Sequence, residues 1–277
     1  MSKTPLIPEI KAEQSIELLK ELHILTRDGK LNQDSRRKLK QVYHLYQFIE
    51  PLMADILQNK QALNLVDHGA GKSYLGFILY DLYLKKFPQA HVYGIETRAD
   101  LVHKSQDLAA RLGFQDGMSF KHMTVEEAIA SQELPEKMDI VTALHACNTA
   151  TDDAIRFGLA RDARYMVLVP CCQAEVASVL RAHKGQTLGK TPLSELWRHP
   201  LHTREFGSQI TNVLRCLQLE ARGYQVTVTE LVGWEHSMKN ELIIAKKVGG
   251  FKKSARDRQL AILEQCNLLP LKERFAY

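Results

Sequence analysis

The sequence predicts an α/β protein built on a mostly parallel sheet, with a helical addition at its N-terminal end. From about residue 63 onward, short apolar runs alternate with helical stretches, the pattern that pairs strands in parallel through crossover helices. A glycine-bearing turn, DHGAGKS, follows the first of those runs. The last two runs, YQVTVTELV and NELIIAKK, are separated only by GWEHSMK, so they pair as an antiparallel hairpin.

Taken in order, residues 9–25 (EIKAEQSIELLKELHIL) set Ile10, Ile16, Leu19, Leu22 and Leu25 at helical spacing, and TRDGK ends that helix in a glycine turn. A second helix is predicted from Asp34 to about Leu57. It gathers Leu39, Val42, Leu45, Phe48, Ile49 and Leu52 on one face and carries a kink point at Pro51. Strands are predicted at 63–67, 91–95, 118–122, 138–144 and 164–169, before the hairpin. SARDRQLAILEQCNLL, after Gly249, predicts one more helix.

Composition narrows the class. With 277 residues, 45% hydrophobic and 25% charged, the chain resembles a soluble globular protein able to build a sizeable core, and disorder is excluded for its body. MSKTPLIPEI lacks a basic-then-apolar leader pattern, and YLGFILYDLYL, interrupted by Asp81, is well short of the ~20 residues a membrane span requires. The expectation is a cytoplasmic protein with no membrane partner. Five cysteines, an odd number without an export signal, predict reduced thiols rather than a disulfide framework. A net charge of +5 is mildly basic and suits a polyanionic partner.

GAGKS invites a phosphate-loop reading. A Walker loop needs glycine five residues before its Gly-Lys pair, and Val66 stands there. The dinucleotide pattern G-x-G-x-x-G fits at Gly69 and Gly71 but meets Tyr74 at its third glycine. A different nucleoside site fits with less strain. Asp67 ends the first strand, Gly69 and Gly71 turn the backbone tightly, and a helix begins near Lys72. Glu96 then ends the second strand, where a carboxylate can accept both hydroxyls of a ribose.

This order of strands, glycine turn, distal carboxylate and closing hairpin resembles the class I S-adenosylmethionine-dependent methyltransferases. The resemblance implies a Rossmann-like, mostly parallel seven-stranded sheet ending in an antiparallel hairpin over residues 60–248. It leaves 1–59 as an N-terminal helical subdomain, 174–222 as a helical insertion and 249–277 as a C-terminal tail. It implies S-adenosylmethionine as cofactor, held by Asp67, Gly69, Ala70, Gly71 and Glu96, with Met123 and Thr124 where the family contacts adenine and His145 beside the ligand. Ser73 stands where the family usually carries a third glycine.

The fourth strand leads into HACNTATDD and the fifth into PCCQ, so His145, Cys147 and Asn148 face the same crevice as Cys171 and Cys172. Thr151, Asp152 and Asp153 make a good helix start. These stretches resemble a group that includes eukaryotic tRNA 2′-O-methyltransferases, with Asn148 in place of that group's glycine and Gln173 in place of its histidine. EHSMKN resembles the same group's hairpin loop and places His236, Lys239 and Asn240 with the substrate. Several chemistries stay open. His145 suits a general base or an orienting group, and Cys147 with Cys171 or Cys172 suits covalent thiol attack on a base. The same four residues could ligate zinc, although adjacent Cys171 and Cys172 lack the usual two-residue spacer, and a closed metal site is not expected. Plain packing of the cysteines is the fourth reading.

Basic residues mixed with aromatics suit phosphate contact and base stacking. One such patch is Arg36, Arg37, Lys38 and Lys40 with Tyr43, His44 and Tyr46, from which Arg37, Lys40 and His44 are taken as RNA-binding candidates. Another is Arg181, Lys184, Lys190, Arg198 and Arg204 with Trp197, His199 and His202. The sequence thus predicts a methyltransferase acting on RNA. A methyltransferase of a small molecule or protein side chain, and a cofactor-binding module without catalysis, are the alternatives.

Overall fold

The computed structural model describes residues 9–11, 13–144, 148–170, 174–182, 192–231 and 241–276, in two compact units, Met1–His122 and Met123–Tyr277. The first unit holds helices α1 (Ile16–Glu21), α2 (Gln33–Asn59), α3 (Tyr74–Leu82) and α4 (Ala99–Leu112), with strands β1 (Leu63–His68), β2 (Ala90–Glu96) and β3 (Met118–His122). Its strands lie in the order β3-β2-β1, all parallel. Helices cover them: α3 packs on β1 and β2, and α4 on β2 and β3.

The second unit holds α5 (Val125–Ala130), β4 (Ile140–Leu144), α6 (Ala150–Ala160), β5 (Tyr165–Val169), α7 (Glu175–Ala182), α8 (Pro200–Ala221), β6 (Tyr224–Glu230), β7 (Glu241–Lys247) and α9 (Lys253–Gln265). Here the order is β4-β5-β7-β6. β4 and β5 are parallel, whereas β7 runs antiparallel to both β5 and β6. Three strands and four make up the seven expected, with the closing strand reversed. A core of Val176, Leu180, Leu214, Leu263 and Phe275 joins α7, α8, α9 and the 3-10 turn at Leu269–Phe275.

Three predicted boundaries are corrected. The helix over 9–25 contracts to Ile16–Glu21: the Ser15 hydroxyl caps the Leu18 amide at 3.1 Å, and His23, at φ +55°, turns the chain out after one and a half turns. Ile10, Leu22 and Leu25 are buried nonetheless, so the spacing marked burial and overstated the helix. α2 runs unbroken through Pro51. The helix after the glycine turn starts at Tyr74 rather than Lys72, and α6 starts at Ala150, so Thr151, Asp152 and Asp153 fall in its first turn.

Candidate functional site: a glycine turn tied to a carboxylate

In the first unit β1 and β2 run in register to their ends, with Asp67 opposite Gly94 and His68 opposite Ile95. The chain leaves β1 through three left-handed residues, Gly69 (φ +65°), Gly71 (φ +58°) and Ser73 (φ +50°). Glycine adopts that region at no steric cost, and serine only with support. Ser73 has it: its buried hydroxyl donates to Asp67 Oδ2 at 3.0 Å and its amide to the Ala70 carbonyl at 2.7 Å. Ser73, where the resemblance places a third glycine, thus adopts a left-handed conformation that glycine would take without strain. α3 fits against this turn through Gly76, where an added Cβ would stand 2.5 Å from Ser73 Oγ and 3.2 Å from Val92 Cγ1. The close packing that a dinucleotide fold assigns to the residue at Tyr74 is met here two residues later.

The turn is bonded to the end of β2. The Gly71 amide donates to Glu96 Oε2 at 2.7 Å, and the Ala70 amide to the Ile95 carbonyl at 3.0 Å. Glu96 also accepts the Arg98 amide at 3.1 Å and one edge of the Arg98 guanidinium, Nε at 3.0 Å and Nη2 at 3.1 Å. Burial pushes the Glu96 carboxyl up, but the Arg98 side chain and the Gly71 and Arg98 amides outweigh it, and the net direction is down. The carboxylate is thus charged at neutral pH and bonded to a tight glycine turn. That combination fits an adenosyl ribose, whose two hydroxyls seek a charged acceptor. The ribose would share Glu96 with Arg98, whose side chain is 63% exposed, so displacing it costs little.

In the second unit Thr124 caps α5 in a reciprocal box with Glu127, and Met123 beside it is half-buried. β4 and β5 also end in register, Leu144 opposite Val169, so the segments that follow start side by side. Asn148 sits in the left-handed region at φ +53°, and its Oδ1 accepts the Ala174 amide at 3.5 Å. His145, Cys147, Cys171, Cys172, His236, Lys239 and Asn240 lie outside the described residues, as do Gln173, Lys184 and Lys190. Among the described residues no cluster with metal-binding composition occurs. Of the two described cysteines, burial pushes the Cys216 thiol up to about 12.

The basic stretch of α2 divides. Arg36 pairs with Glu9 and Lys38 with Asp34, while Arg37 and Lys40 are exposed and His44 stands edge-on to Phe48 at 5.1 Å. Of the aromatics expected beside them for base stacking, Tyr46 is corrected. Tyr46 is 2% exposed on the face that α2 buries, with Lys11 over its ring, and the Tyr43 hydroxyl is bonded to Gln14. Sequence reasoning missed Arg98, Gly76 and the fully buried Arg215. Only Arg215 left a signal, a charge at a core-facing position of α8.

A family model described as a methyltransferase domain matches residues 37–179, just over half of the chain. The chain therefore belongs to that methyltransferase-domain family. No curated protein matches it. Among solved structures it is similar to M. capricolum TrmK in complex with S-adenosyl-homocysteine (11% identity, 68% of this chain and 64% of that one, TM-score 0.41). It is also similar to an rRNA methylase from Streptococcus thermophilus (10%, 68% and 89%, 0.42). A third is the Podospora anserina methyltransferase PaMTH1 bound to S-adenosyl-homocysteine (10%, 84% and 87%, 0.46). The chain thus spans just under two thirds of M. capricolum TrmK.

Proposed function

We propose that this chain transfers the methyl group of S-adenosylmethionine to tRNA or rRNA, in the cytoplasm. The observation that carries the cofactor half is the 2.7 Å bond from the Gly71 amide to Glu96, which ties the glycine turn to a charged carboxylate. Asp67, Gly69, Ala70, Gly71 and Glu96 would hold the cofactor, with Met123 and Thr124 at its adenine and His145 beside it. When bound, it supplies an electrophilic methyl on a sulfonium. His145 would take the proton from the acceptor hydroxyl, with Cys147 and Asn148 as the other candidate catalytic residues. The RNA half is supported by the exposed Arg37 and Lys40 on α2 next to His44. It is supported as well by the resemblance of HAC…ATD, CC and EHSMKN to a tRNA 2′-O-methyltransferase group. Cys171, Cys172, His236, Lys239 and Asn240 are the further substrate-binding candidates that the resemblance supplies. We read 1–59 as the helical subdomain that meets RNA, 60–248 as the catalytic domain with its insertion at 174–222, and 249–277 as the tail.

The test is incubation with radiolabelled S-adenosylmethionine and fractionated cell extract. Label in ribonuclease-sensitive material is expected, and it should fall in an Arg37→Ala, Lys40→Ala double variant as salt rises. Label confined to protein or small molecules would overturn the RNA assignment.

A further inference from the structure

Arg215 is a charge placed where α8 otherwise buries Thr211, Leu214 and Gln218, and its side chain is 0% exposed. Nε and Nη2 donate to the two oxygens of Asp152, both at 2.7 Å. Nη1 donates to Asn212 Oδ1 at 3.1 Å, and Asn212 passes the chain on to Glu241 Oε2 at 2.7 Å. Nη2 also donates to the carbonyl of Asn148 at 3.0 Å. A buried ion pair adds little net stability over a well-packed apolar replacement, but it fixes geometry through directed bonds. The geometry fixed here is the exit from β4. Asp152 in the first turn of α6 and the carbonyl of left-handed Asn148 are held by one guanidinium, and Asn148 Oδ1 reaches the Ala174 amide at 3.5 Å, beyond β5.

From this we infer that Arg215 is a positioning residue for methyl transfer: acting through Asn148 and Asp152, it sets where the chain after β4 stands relative to the chain after β5. The inference rests on the functional reading that Asn148 belongs to the acceptor side. Misplacing a reacting group by about 1 Å costs on the order of 100-fold in rate, so the expected signature lies in kcat rather than in cofactor affinity.

The test uses the full chain, radiolabelled S-adenosylmethionine and total cellular RNA as acceptor. Arg215→Met alone strands a buried Asp152 and could unfold the protein, so the decisive variant is the double Arg215→Met, Asp152→Leu, in which both charges go and stability is retained. This variant should melt cooperatively near the wild-type temperature and bind cofactor within about threefold, yet turn over roughly 100-fold more slowly. Asn148→Gly should show the same split, because glycine accepts φ +53° while the amide side chain is lost. Hydrogen exchange at residues 148–153 and at Ala174 should rise at least tenfold in Arg215→Lys, with β6 and β7 unchanged. A stable double variant with wild-type kcat would overturn the inference. If the wild type transfers no label to RNA, it is the functional reading that falls, and the inference for methyl transfer falls with it; the exchange arm then reports only whether Arg215 holds residues 148–153 and Ala174 in place.

Discussion

Arg98 grips Glu96 through one edge of its guanidinium, Nε to Oε1 at 3.0 Å and Nη2 to Oε2 at 3.1 Å, while the Gly71 amide also donates to Oε2. A carboxylate offers about four lone-pair sites, so a ribose diol and this full set of donors compete for one group. Arg98→Ala should therefore tighten S-adenosylmethionine binding by about two- to tenfold in calorimetry, the range of an exposed ion pair. Weaker binding in that variant would mean that Arg98 contacts the cofactor itself.

Glu96 also sets an acid limit. Its folded carboxyl lies below the ordinary value near 4.5, so the stability it contributes is present above that value and lost as pH falls through the lower folded one. The gap in urea midpoint between wild type and Glu96→Gln should be constant from neutrality down to about pH 5.5 and should close at more acid pH. A gap unchanged down to pH 2.5 would contradict the charged, donor-rich site.

At Gly76, the Cβ of alanine would stand 2.5 Å from Ser73 Oγ, forcing the hydroxyl off Asp67. Gly76→Ala should destabilise by about 1 to 3 kcal/mol. Ser73→Gly removes the clashing oxygen and relieves the left-handed φ, so the double variant should recover part of that loss in thermal melts. Additive melting shifts would show that the two positions do not meet.

Val66 is a fully buried strand residue, not the opening glycine of a phosphate loop. ATP should leave the melting temperature unmoved, whereas S-adenosylmethionine at a hundredfold excess over its Kd should add about 2.7 kcal/mol. Stabilisation by ATP that Lys72→Ala abolishes would reverse this assignment.

The strands, the closing hairpin and the glycine turn were legible in the sequence because each rests on a local rule. Apolar runs of strand length, Gly69 and Gly71 in a tight turn, and a carboxylate at a strand end are all readable within a few residues. The helix over 9–25 was misjudged because apolar spacing reports burial, and the capping by Ser15 and the left-handed His23 decided the helix. Arg215 was missed for the opposite reason: its partner Asp152 is 63 positions away, and nothing in the local pattern of ATDD separates a helix start from a buried ion pair. Tyr46 was misassigned because an aromatic beside basic residues reads as a stacking surface until the helix phase places it inside.

β7 lies between β5 and β6 although it follows both in the chain. During synthesis β5 is complete by Val169, yet the neighbour that covers its open side, from Tyr165 opposite Lys246 to Leu168 opposite Ile243, emerges more than seventy residues later. At ~5 to 20 residues per second, that edge waits several seconds beside a nascent chain with nothing to zip onto. The apolar run YMVLV is therefore the segment a ribosome-bound chaperone would need to shield, and a chain truncated before Glu241 should aggregate through it.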